Sequence, residues 1–316
     1  SRGCRRRKRL RFWSMCGKAV ERVRPAEWWV WAKTRSRATY AEPDDMPPSF
    51  TMNSSPFPPQ TKEVQLDEKW SFVSKKEAHC SCTDPLDCHR GDNWDHTAVD
   101  PEHRLVLSVV PGKRSAENCV KLVADVQKRT AGRTDMLLTS DEHPPYVEAI
   151  QKAYGQNVPQ PKRAGPGRPP KPQRVLPTNL CYATVRKTRK WGRVVDVVRT
   201  VVFGTAALVD MLLARSTVST TINTSFVERN NGTDRGQNAR KVRKTYRFSK
   251  EWDVHNAATY FIAFSYNFCW AVRTLDTLSA EGTRMKRTPA MAAGLADYIW
   301  STLEWATFPA RGPQVT

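Results

Sequence analysis

The chain of 316 residues carries a net charge of +20, from 51 Lys and Arg residues against 31 Asp and Glu residues. This length can bury a sizeable core in one large domain or in two smaller ones. Such an excess of positive charge indicates a polyanionic partner, and it favours nucleic acid over an anionic membrane surface. Asp196, Arg199 and Asp210 interrupt the most apolar stretch, so the sequence has no run of about 18 uncharged apolar residues. We therefore expect no membrane association and a cytoplasmic location, where the eight cysteines stay reduced.

The first 60 residues differ from the rest of the chain in composition and in hydrophobic pattern. They begin with the basic block SRGCRRRKRLRFW and end in the proline-rich PDDMPPSFTMNSSPFPPQ. They show neither a helical nor a strand period, and basic blocks without a period are commonly disordered. We interpret residues 1–60 as a basic, irregular extension. A nucleic-acid-binding arm and sequence outside the functional domain are the alternatives.

From residue 62 onward the pattern alternates between strands and helices. KEVQLDEKWSFV, NWDHTAVD and RLVLSVVPG are typical of strands, with the turn-like DPEH between the last two. A helix is predicted after the N-cap residue Ser115, and basic residues occupy its last turn. The apolar strand DMLLTSDEH follows, and PPYVEAIQKAYG predicts a helix that ends at Gly155. This order predicts an α/β fold with a mixed sheet flanked by helices.

The second half of the chain opens with a proline-rich basic connector over residues 156–177, for which we expect no packed structure of its own. CYATVRKTRKWGRVVDVVRTVVFG predicts two strands that turn at Lys190-Trp191-Gly192, and TAALVDMLLARS predicts a helix. The dense apolar residues of EWDVHNAATYFIAFSYNFCWAVRTL predict a buried helix. We interpret residues 279–316 as a C-terminal helical tail with one amphipathic helix.

Three carboxylates stand out because the pattern gives them no packing role. Asp67 lies within the first predicted strand, whose polar face consists of Gln65, Asp67, Lys69 and Ser71. Glu68 interrupts the opposite, apolar face, so strand parity alone leaves open which of the two carboxylates is special. Asp141 ends a buried strand, where open α/β sheets bind their ligands. Glu228 heads the strongly basic segment 224–250.

Three carboxylates that meet at one place raise each other's pKa unless a cation lies between them. Mg²⁺ suits them, because it takes oxygen ligands and leaves positions for substrate phosphate oxygens. Two such ions, Mg²⁺ or Mn²⁺, could activate the attacking oxygen and stabilise the leaving oxygen in an in-line displacement at phosphorus. We predict that Asp67, Asp141 and Glu228 hold these ions and are catalytic. The residues predicted to bind DNA phosphates are Arg229, Arg235, Arg240, Lys241, Arg243 and Lys244.

Three sequence blocks, LDEKWSFV, TSDEHPPY and FVERNNG…ARKVRKTYRFSKEWDVHN, resemble in this order the motif blocks of the DDE transposases of the insertion-sequence-one type. The resemblance covers roughly residues 62–275. It matches the two catalytic aspartates of that family to Asp67 and Asp141, and its glutamate to Glu228. It also adds Asn231 and Lys250 to the predicted DNA-binding set. His255 is a possible accessory residue near the carboxylates, and a core or capping histidine is the alternative.

The resemblance implies a ribonuclease-H-like mixed sheet over residues 61–278. It implies Mg²⁺-dependent cutting of transposon ends and joining of the freed 3′ hydroxyl to target DNA, without a covalent protein intermediate. It also implies a dimer or higher oligomer on DNA, associated with the bacterial nucleoid. A catalytically inactive DNA-binding protein derived from a transposase, and a ribonuclease-H-like nuclease without strand transfer, are the alternatives.

The chain departs from the family's pattern in two places. The 86 residues between Asp141 and Glu228 exceed the spacing of compact members, and we interpret the excess as an insertion, or as a core strand plus an insertion. Residues 1–60 show neither the zinc module nor the helix-turn-helix of full-length members, which puts autonomous transposition in doubt.

Two further segments carry candidate binding residues. HCSCTDPLDCHR brings His79, Cys80, Cys82, Cys88 and His89 into one loop that zinc would accept, although the spacing contains no standard C-x-x-C pair. A loop that simply contains thiols is the alternative. Gly167-Arg168-Pro169 resembles an AT-hook core, in which Arg168 would enter a narrow minor groove. A plain proline-rich linker is the alternative there.

Overall fold

The computed structural model of the chain describes residues 61–81, 83–160 and 172–307. The expected extension over residues 1–60, the thiol of Cys82 and the AT-hook-like Arg168 lie outside these ranges, and their roles stay predictions.

A large mixed sheet forms the centre of the described part of the chain. The strands are β1 (Glu63–Val73), β2 (Gly91–Asp100), β3 (Leu105–Gly112), β4 (Leu137–Asp141), β5 (Gln156–Val158), β6 (Gln173–Val175), β7 (Cys181–Lys190), β8 (Arg193–Phe203), β9 (Thr277–Leu278) and β10 (Arg284–Met285). The large sheet has six strands in the order β3-β2-β1-β4-β7-β8. Strand β4 runs parallel to both neighbours, β1 and β7, and the other pairs in this sheet are antiparallel. The predicted α/β fold with a mixed sheet is confirmed.

Helices cover both faces of the sheet. Within the described ranges they are α1 (Ala116–Arg129), α2 (Pro145–Tyr154), α3 (Ala206–Arg215), α4 (Ser225–Gln237), α5 (Trp252–Cys269), α6 (Pro289–Ala292) and α7 (Thr302–Thr307). Helices α1 and α2 share one buried core with Val64 and Leu66 of β1. Helix α3 packs on Leu137 and Ala183, which lie on the opposite face, and α4 contacts β1 on that same face. The result is a layer of sheet between two layers of helix.

The local sequence signals account for the two helices that follow β3 and β4. The Ser115 hydroxyl accepts a hydrogen bond from the Asn118 N–H at 3.3 Å and caps α1, as predicted. Leu122, Val123 and Val126 recur at helical spacing on its buried face. Helix α2 begins in a pair of prolines and ends at Gly155, also as predicted. The predicted buried helix near the C-terminus is confirmed as α5.

The long interval between Asp141 and Glu228 contains a strand of the central sheet. Strand β7 pairs in parallel with β4 over five residues, so the interval holds a core strand plus additional structure. Strands β5 and β6 pair with each other at the two ends of the proline-rich connector. The Arg174 guanidinium donates to the Lys152 carbonyl and fixes this ladder against the end of α2. The expectation that residues 156–177 have no packed structure therefore does not hold at their ends.

The C-terminal segment packs against the main core. Instead of one amphipathic helix it forms two short ones, because Gly294 adopts a φ of +72° and ends the first. The rings of Phe268 and Trp305 stack with centroids 5.4 Å apart, and Trp300 lies in the same core. The expected boundary at residue 278 therefore does not separate this segment from the core.

A cluster of buried charges joins strands β1 and β2 to helices α4 and α5. The Lys69 ammonium pairs with Asp234, and it lies 3.2 Å from Asp95. Asp95 also pairs with Lys241, whose ammonium bonds to Thr259. Their side chains are 0 to 11% exposed, so the two lysines and two aspartates must neutralise each other within the protein.

Removing the shared carboxylate tests this cluster. We expect Asp95→Asn to lower the free energy of unfolding by about 3 kcal/mol or more, because both ammonium groups lose a buried counter-charge. Chemical denaturation at constant pH measures the change. Glu117→Gln removes a carboxylate from an exposed ion pair with Lys121 and serves as the control with little measurable effect. Equal losses in the two variants would show that the buried cluster does not stabilise the fold.

Candidate functional site

Two of the three predicted carboxylates lie side by side at the end of the central strands. The parallel register of β1 and β4 pairs Leu66 with Ser140, so Asp67 and Asp141 are the next residues on adjacent strands. Asp141 is the last residue of β4 and pairs with Val185 of β7. Asp141 thus lies at the carboxyl end of its strand, where α/β sheets bind ligands, and Asp67 lies beside it although β1 continues to Val73.

The polar face of β1 holds helix α4, which carries the third carboxylate. The Gln65 side-chain oxygen accepts hydrogen bonds from the N–H groups of Phe226 and Val227, at 2.9 and 3.1 Å, and thereby caps the helix. Two residues along the strand, Asp67 accepts a hydrogen bond from the Asn231 amide at 2.6 Å. Alternate strand residues thus meet successive turns of one helix and fix its position.

This docking brings Glu228 to the cleft above the two aspartates. Its Oε1 accepts a hydrogen bond from the Thr224 hydroxyl at 2.9 Å. The same oxygen pairs with the ammonium of Lys187, which extends from β7. Glu228 therefore has a cationic partner from the sheet as well as the two aspartates in front of it.

The three carboxylates line one open cleft of about 700 Å³. Its acidic lining residues are Asp67, Glu68, Asp141, Glu142 and Glu228, and its basic lining residues are Lys69, Arg114, Arg186, Lys187, Arg189 and Arg235. Acidic and basic side chains therefore share the lining of this cleft. The cations suit an anionic ligand whose reacting group lies near the carboxylates.

The electrostatics of the cleft follow from this crowding. Burial raises the pKa of Asp67 to about 7, and the charges of Asp141, Glu68 and Glu228 add to the effect. The pKa of Asp141 is also raised, first by burial and then by Glu228, while Lys187 opposes the shift. Although Asp141 is exposed at the rim, the walls of the cleft still remove much of the solvent around its carboxylate. Burial and the neighbouring carboxylates therefore both disfavour the charged forms of Asp67 and Asp141.

The oxygen ligands and raised pKa values fit a hard divalent cation, which would be held by Asp67, Asp141 and Glu228. Among residues 61–81, 83–160 and 172–307, however, no three acidic, histidine or cysteine side chains form a complete metal cage. Ion binding at Glu228 would compete with the Lys187 ammonium.

The alternation of side chains along β1 does not decide which of Asp67 and Glu68 is the functional carboxylate. The positions of the two side chains in the structure differ. Glu68 projects to the opposite face, where it accepts a hydrogen bond from Arg114 at 3.0 Å. Its other oxygen is buried without a hydrogen-bond partner, as is the hydroxyl of Tyr146, which interacts with this carboxylate. Glu68 therefore adds negative charge to the cleft from behind the strand.

The predicted DNA-binding residues in the described ranges differ in their exposure. Arg229, Arg243, Lys244 and Lys250 are exposed, Arg240 is half-buried, and Arg235 lines the cleft. Lys241 is buried on Asp95, so its charge is neutralised within the protein and does not face a phosphate. Asn231 is buried as well, and its amide orients Asp67. The expected DNA contacts of Lys241 and Asn231 do not fit these positions.

His255 also differs from its expected place near the carboxylates. It is fully buried between the hydroxyls of Ser71 and Ser249, at 3.0 and 2.8 Å from its two ring nitrogens. Burial lowers its pKa to about 3, and the nearby charge of Lys241 contributes. A neutral histidine in this position joins β1 to the end of the basic segment and does not line the cleft.

The thiol-rich loop provides its own stabilising contacts. The Cys88 thiol lies 2.9 Å from the Pro85 carbonyl, and Cys80 lies 3.6 Å from the Lys76 carbonyl. Asp87 organises the loop by accepting a hydrogen bond from the Ser81 N–H at 2.7 Å. The proposed zinc site of Cys80, Cys82, Cys88 and His89 stays a prediction, because Cys82 lies outside the described ranges.

Residue-by-residue reasoning missed the cations contributed by β7. Arg186, Lys187 and Arg189 line the cleft, although they lie far along the chain from the basic segment. The segment RKTRKWGR carries these cations, but its pattern predicts only a pair of strands. What the sequence does not show is that β7 lies beside β4, which brings these side chains next to Asp141.

A comparison of the sequence with known protein families and with curated proteins finds no match. Within the described part of the chain, every helix is too short or too polar to span a membrane.

The raised pKa of Asp67 predicts a stability gain from removing its charge. Between pH 3.8, its ordinary value, and about 7 the unfolded chain loses the proton first, so stability falls as the pH rises. We expect Asp67→Asn to raise the free energy of unfolding of the metal-free protein at pH 8 by about 1–3 kcal/mol. Denaturation in the presence of a chelator measures this gain. An unchanged or lower stability would contradict the electrostatic description of the cleft.

The lowered pKa of His255 predicts the opposite pH dependence. Between pH 6.5 and about 3 the unfolded chain binds a proton that the folded protein excludes, so stability falls as the pH falls. For His255→Gln we expect the free energy of unfolding to depend less steeply on pH in this range. The slope should fall by up to about 1.4 kcal/mol per pH unit, which corresponds to one proton fewer taken up on unfolding. His103, whose pKa is raised beside Asp100, offers the control, because His103→Gln should change the slope only above pH 6.5 and leave the loss at lower pH unaltered. A parallel curve for His255→Gln would contradict the assignment.

Proposed function

We propose that this chain contains the catalytic domain of a DDE transposase of the insertion-sequence-one type, which cuts and joins DNA by metal-dependent phosphoryl transfer. The observation that carries the proposal is the meeting of Asp67, Asp141 and Glu228 at one cleft. They come from two parallel strands and a helix and are widely separated in the sequence. These are the same three residues that the sequence resemblance matches to the catalytic carboxylates of that family.

The architecture supports a ribonuclease-H-like assignment of the domain. A mixed sheet lies between two helical layers, and the carboxylates project from its central strands toward a helix on one face. The core strand β7 lies in the long interval before Glu228, so the additional length does not displace the third carboxylate from the other two. Both features are compatible with the fold that the resemblance implies.

The side chains around the cleft suit the proposed chemistry. Bound Mg²⁺ would activate the attacking oxygen and stabilise the leaving oxygen at phosphorus. Asn231 orients the Asp67 carboxylate, and Thr224 orients Glu228. Arg114, Arg186 and Arg189 lie where they can bind the phosphates that flank the reacting group.

The substrate in this proposal is DNA, held by the rim of the cleft and the exposed basic residues of segment 224–250. The net charge of +20 supports a polyanionic partner and predicts binding that weakens steeply with salt. We further propose that two or more copies act together, because two transposon ends must be paired before joining.

The ion pair between Lys187 and Glu228 favours a second candidate function. An ammonium group on this carboxylate neutralises it without a metal, as would suit a transposase-derived protein that binds DNA but no longer cuts it. The two functions differ in whether Mg²⁺ produces nicked and joined DNA.

Strand transfer tests the catalytic proposal. Labelled duplexes from the DNA that flanks the gene, ending in a free 3′ hydroxyl, are incubated with supercoiled plasmid and either Mg²⁺ or Mn²⁺. We expect metal-dependent joining that falls about 1000-fold or more in Asp141→Asn, because removing a metal ligand costs several kcal/mol of transition-state stabilisation. Glu148→Gln, an exposed carboxylate paired with Lys152, is the matched control.

Each failure of this experiment has a distinct meaning. Normal joining by Asp141→Asn would disprove the assignment of the carboxylates. Hydrolysis without joined products would indicate a nuclease, and salt-sensitive binding without nicking under either metal would indicate the DNA-binding function.

A further inference from the structure

Strands β7 and β8 continue beyond the sheet as a free hairpin. The last residue of β7 that pairs with β4 is Val185, opposite Asp141, and the following residues pair only with β8. We call residues 186–199 the hairpin arm. Its residues are exposed or half-buried, and its basic side chains are Arg186, Lys187, Arg189, Lys190, Arg193 and Arg199 against the single acidic Asp196.

The tip of the arm presents a tryptophan in an unfavourable backbone conformation. Lys190 pairs with Arg193, so Trp191 and Gly192 form a two-residue turn with φ values of 52° and 76°. Such turns favour Asn-Gly or Asp-Gly, because most side chains clash at positive φ. A bulky aromatic residue at this position is therefore a conformational outlier.

Packing does not compensate for this conformation. The Trp191 side chain is 101% exposed, so its indole contributes no buried contact to the fold. The strained turn lowers the stability of the fold, and the exposed indole adds nothing that offsets this cost. A residue that is poor for folding points to a ligand. The location of the arm then indicates which ligand it meets.

The arm begins inside the cleft and ends far outside it. Arg186, Lys187 and Arg189 at its base line the cleft with the carboxylates. The six residues from Val185 to Trp191, with a rise of about 3.3 Å each, place the tip roughly 20 Å beyond the strand edge. A DNA strand that keeps the stacked spacing of a duplex advances about 3.4 Å per nucleotide, so the arm spans about six nucleotides of such a strand.

We propose that the hairpin arm follows a DNA strand out of the cleft and that Trp191 stacks on an unpaired base about six nucleotides from the phosphate at the carboxylates. This inference rests on the proposed function and specifies its substrate as DNA with an unpaired segment beside the reacting end. An indole stacks on the face of any base, and that face is accessible only where the base is not within a duplex. The basic residues along the arm hold the strand that carries this base.

The charge of the arm favours DNA over a protein surface. The exposed Val194 and Val195 would suit either partner. Lys187 pairs with Glu228 and Arg186 with Glu142, and the four other cations against the single Asp196 favour a partner with regularly spaced negative charge. Among proteins and nucleic acids, a polynucleotide backbone provides that spacing.

Position-resolved binding tests the proposal without catalysis. Duplexes with a ten-nucleotide single-stranded 3′ tail carry 2-aminopurine at one tail position at a time, and binding is measured without divalent cations. We expect a fluorescence change centred about six nucleotides from the junction held in the cleft, with tailed DNA binding about 5- to 100-fold more weakly to Trp191→Asn. Trp191→Phe should keep part of both effects.

The choice of asparagine separates binding from folding. Asn-Gly suits this turn better than Trp-Gly, so Trp191→Asn should unfold at the same temperature as the parent protein or a higher one. Leu278→Ala, which truncates another exposed apolar side chain outside the arm, is the control for nonspecific contact and should bind tailed DNA like the parent protein.

The outcomes distinguish a failure of the proposed contact between the hairpin arm and DNA from a failure of the proposed catalysis. Unchanged affinity in Trp191→Asn, equal losses on tailed and fully paired DNA, or Trp191-dependent binding to phosphatidylglycerol vesicles in place of DNA would each overturn the proposal. A position-specific signal in a protein that joins no DNA would retain the arm and reject the proposed catalysis. Normal joining without any such signal would reject the arm alone.

Discussion

The site depends on the docking of helix α4 against the polar face of strand β1. Gln65 caps the first turn of the helix, Asp67 binds Asn231 in the next, and Lys69 pairs with Asp234 beyond it. A strand repeats its face every two residues, and a helix every three or four, so three polar contacts in a row fix both the register and the direction of the helix. Because the helix is held in this way, Glu228 lies over the two aspartates even though two glycines and a low apolar content make α4 a poor helix by itself.

The sequence predicted the elements of this arrangement better than their contacts. Alternation along β1 indicated that Gln65, Asp67 and Lys69 share a face, and the apolar runs predicted β1 to β4, β7, β8 and the helices α1, α2, α3 and α5 close to their observed bounds. They did not predict the β5–β6 ladder or the two short helices of the C-terminal segment. The partners of that polar face lie about 160 residues away, and a pattern with a period of two cannot name them. Lys241 illustrates the limit. Within a run of basic residues it resembles its exposed neighbours, and only the fold brings it to Asp95.

Positive and negative charges are used in two different ways on the same side of the sheet. In the buried cluster around Asp95, lysines and aspartates match in number, and the ion pairs contribute to holding the helices. In the cleft two residues along β1, Asp67 and Asp141 have no cation in direct contact among the described residues, and the pKa values of both carboxylates rise. Lys69 lines that cleft and belongs to the cluster as well. The neutral buried cluster therefore supports the cleft, whose carboxylates are left for a ligand to balance.

The β5–β6 ladder bears on how this protein can change over evolution. Gly155 lies so close to Arg174 and to the end of α2 that a side chain there would meet heavy atoms at 2.5 to 2.8 Å, so the two ends of the proline-rich connector are clamped at one place. Loop closure costs only about 0.6 kcal/mol for each doubling of loop length. Lineages can therefore lengthen, shorten or replace the stretch between these two short strands with little penalty, while the carboxylates keep their spacing.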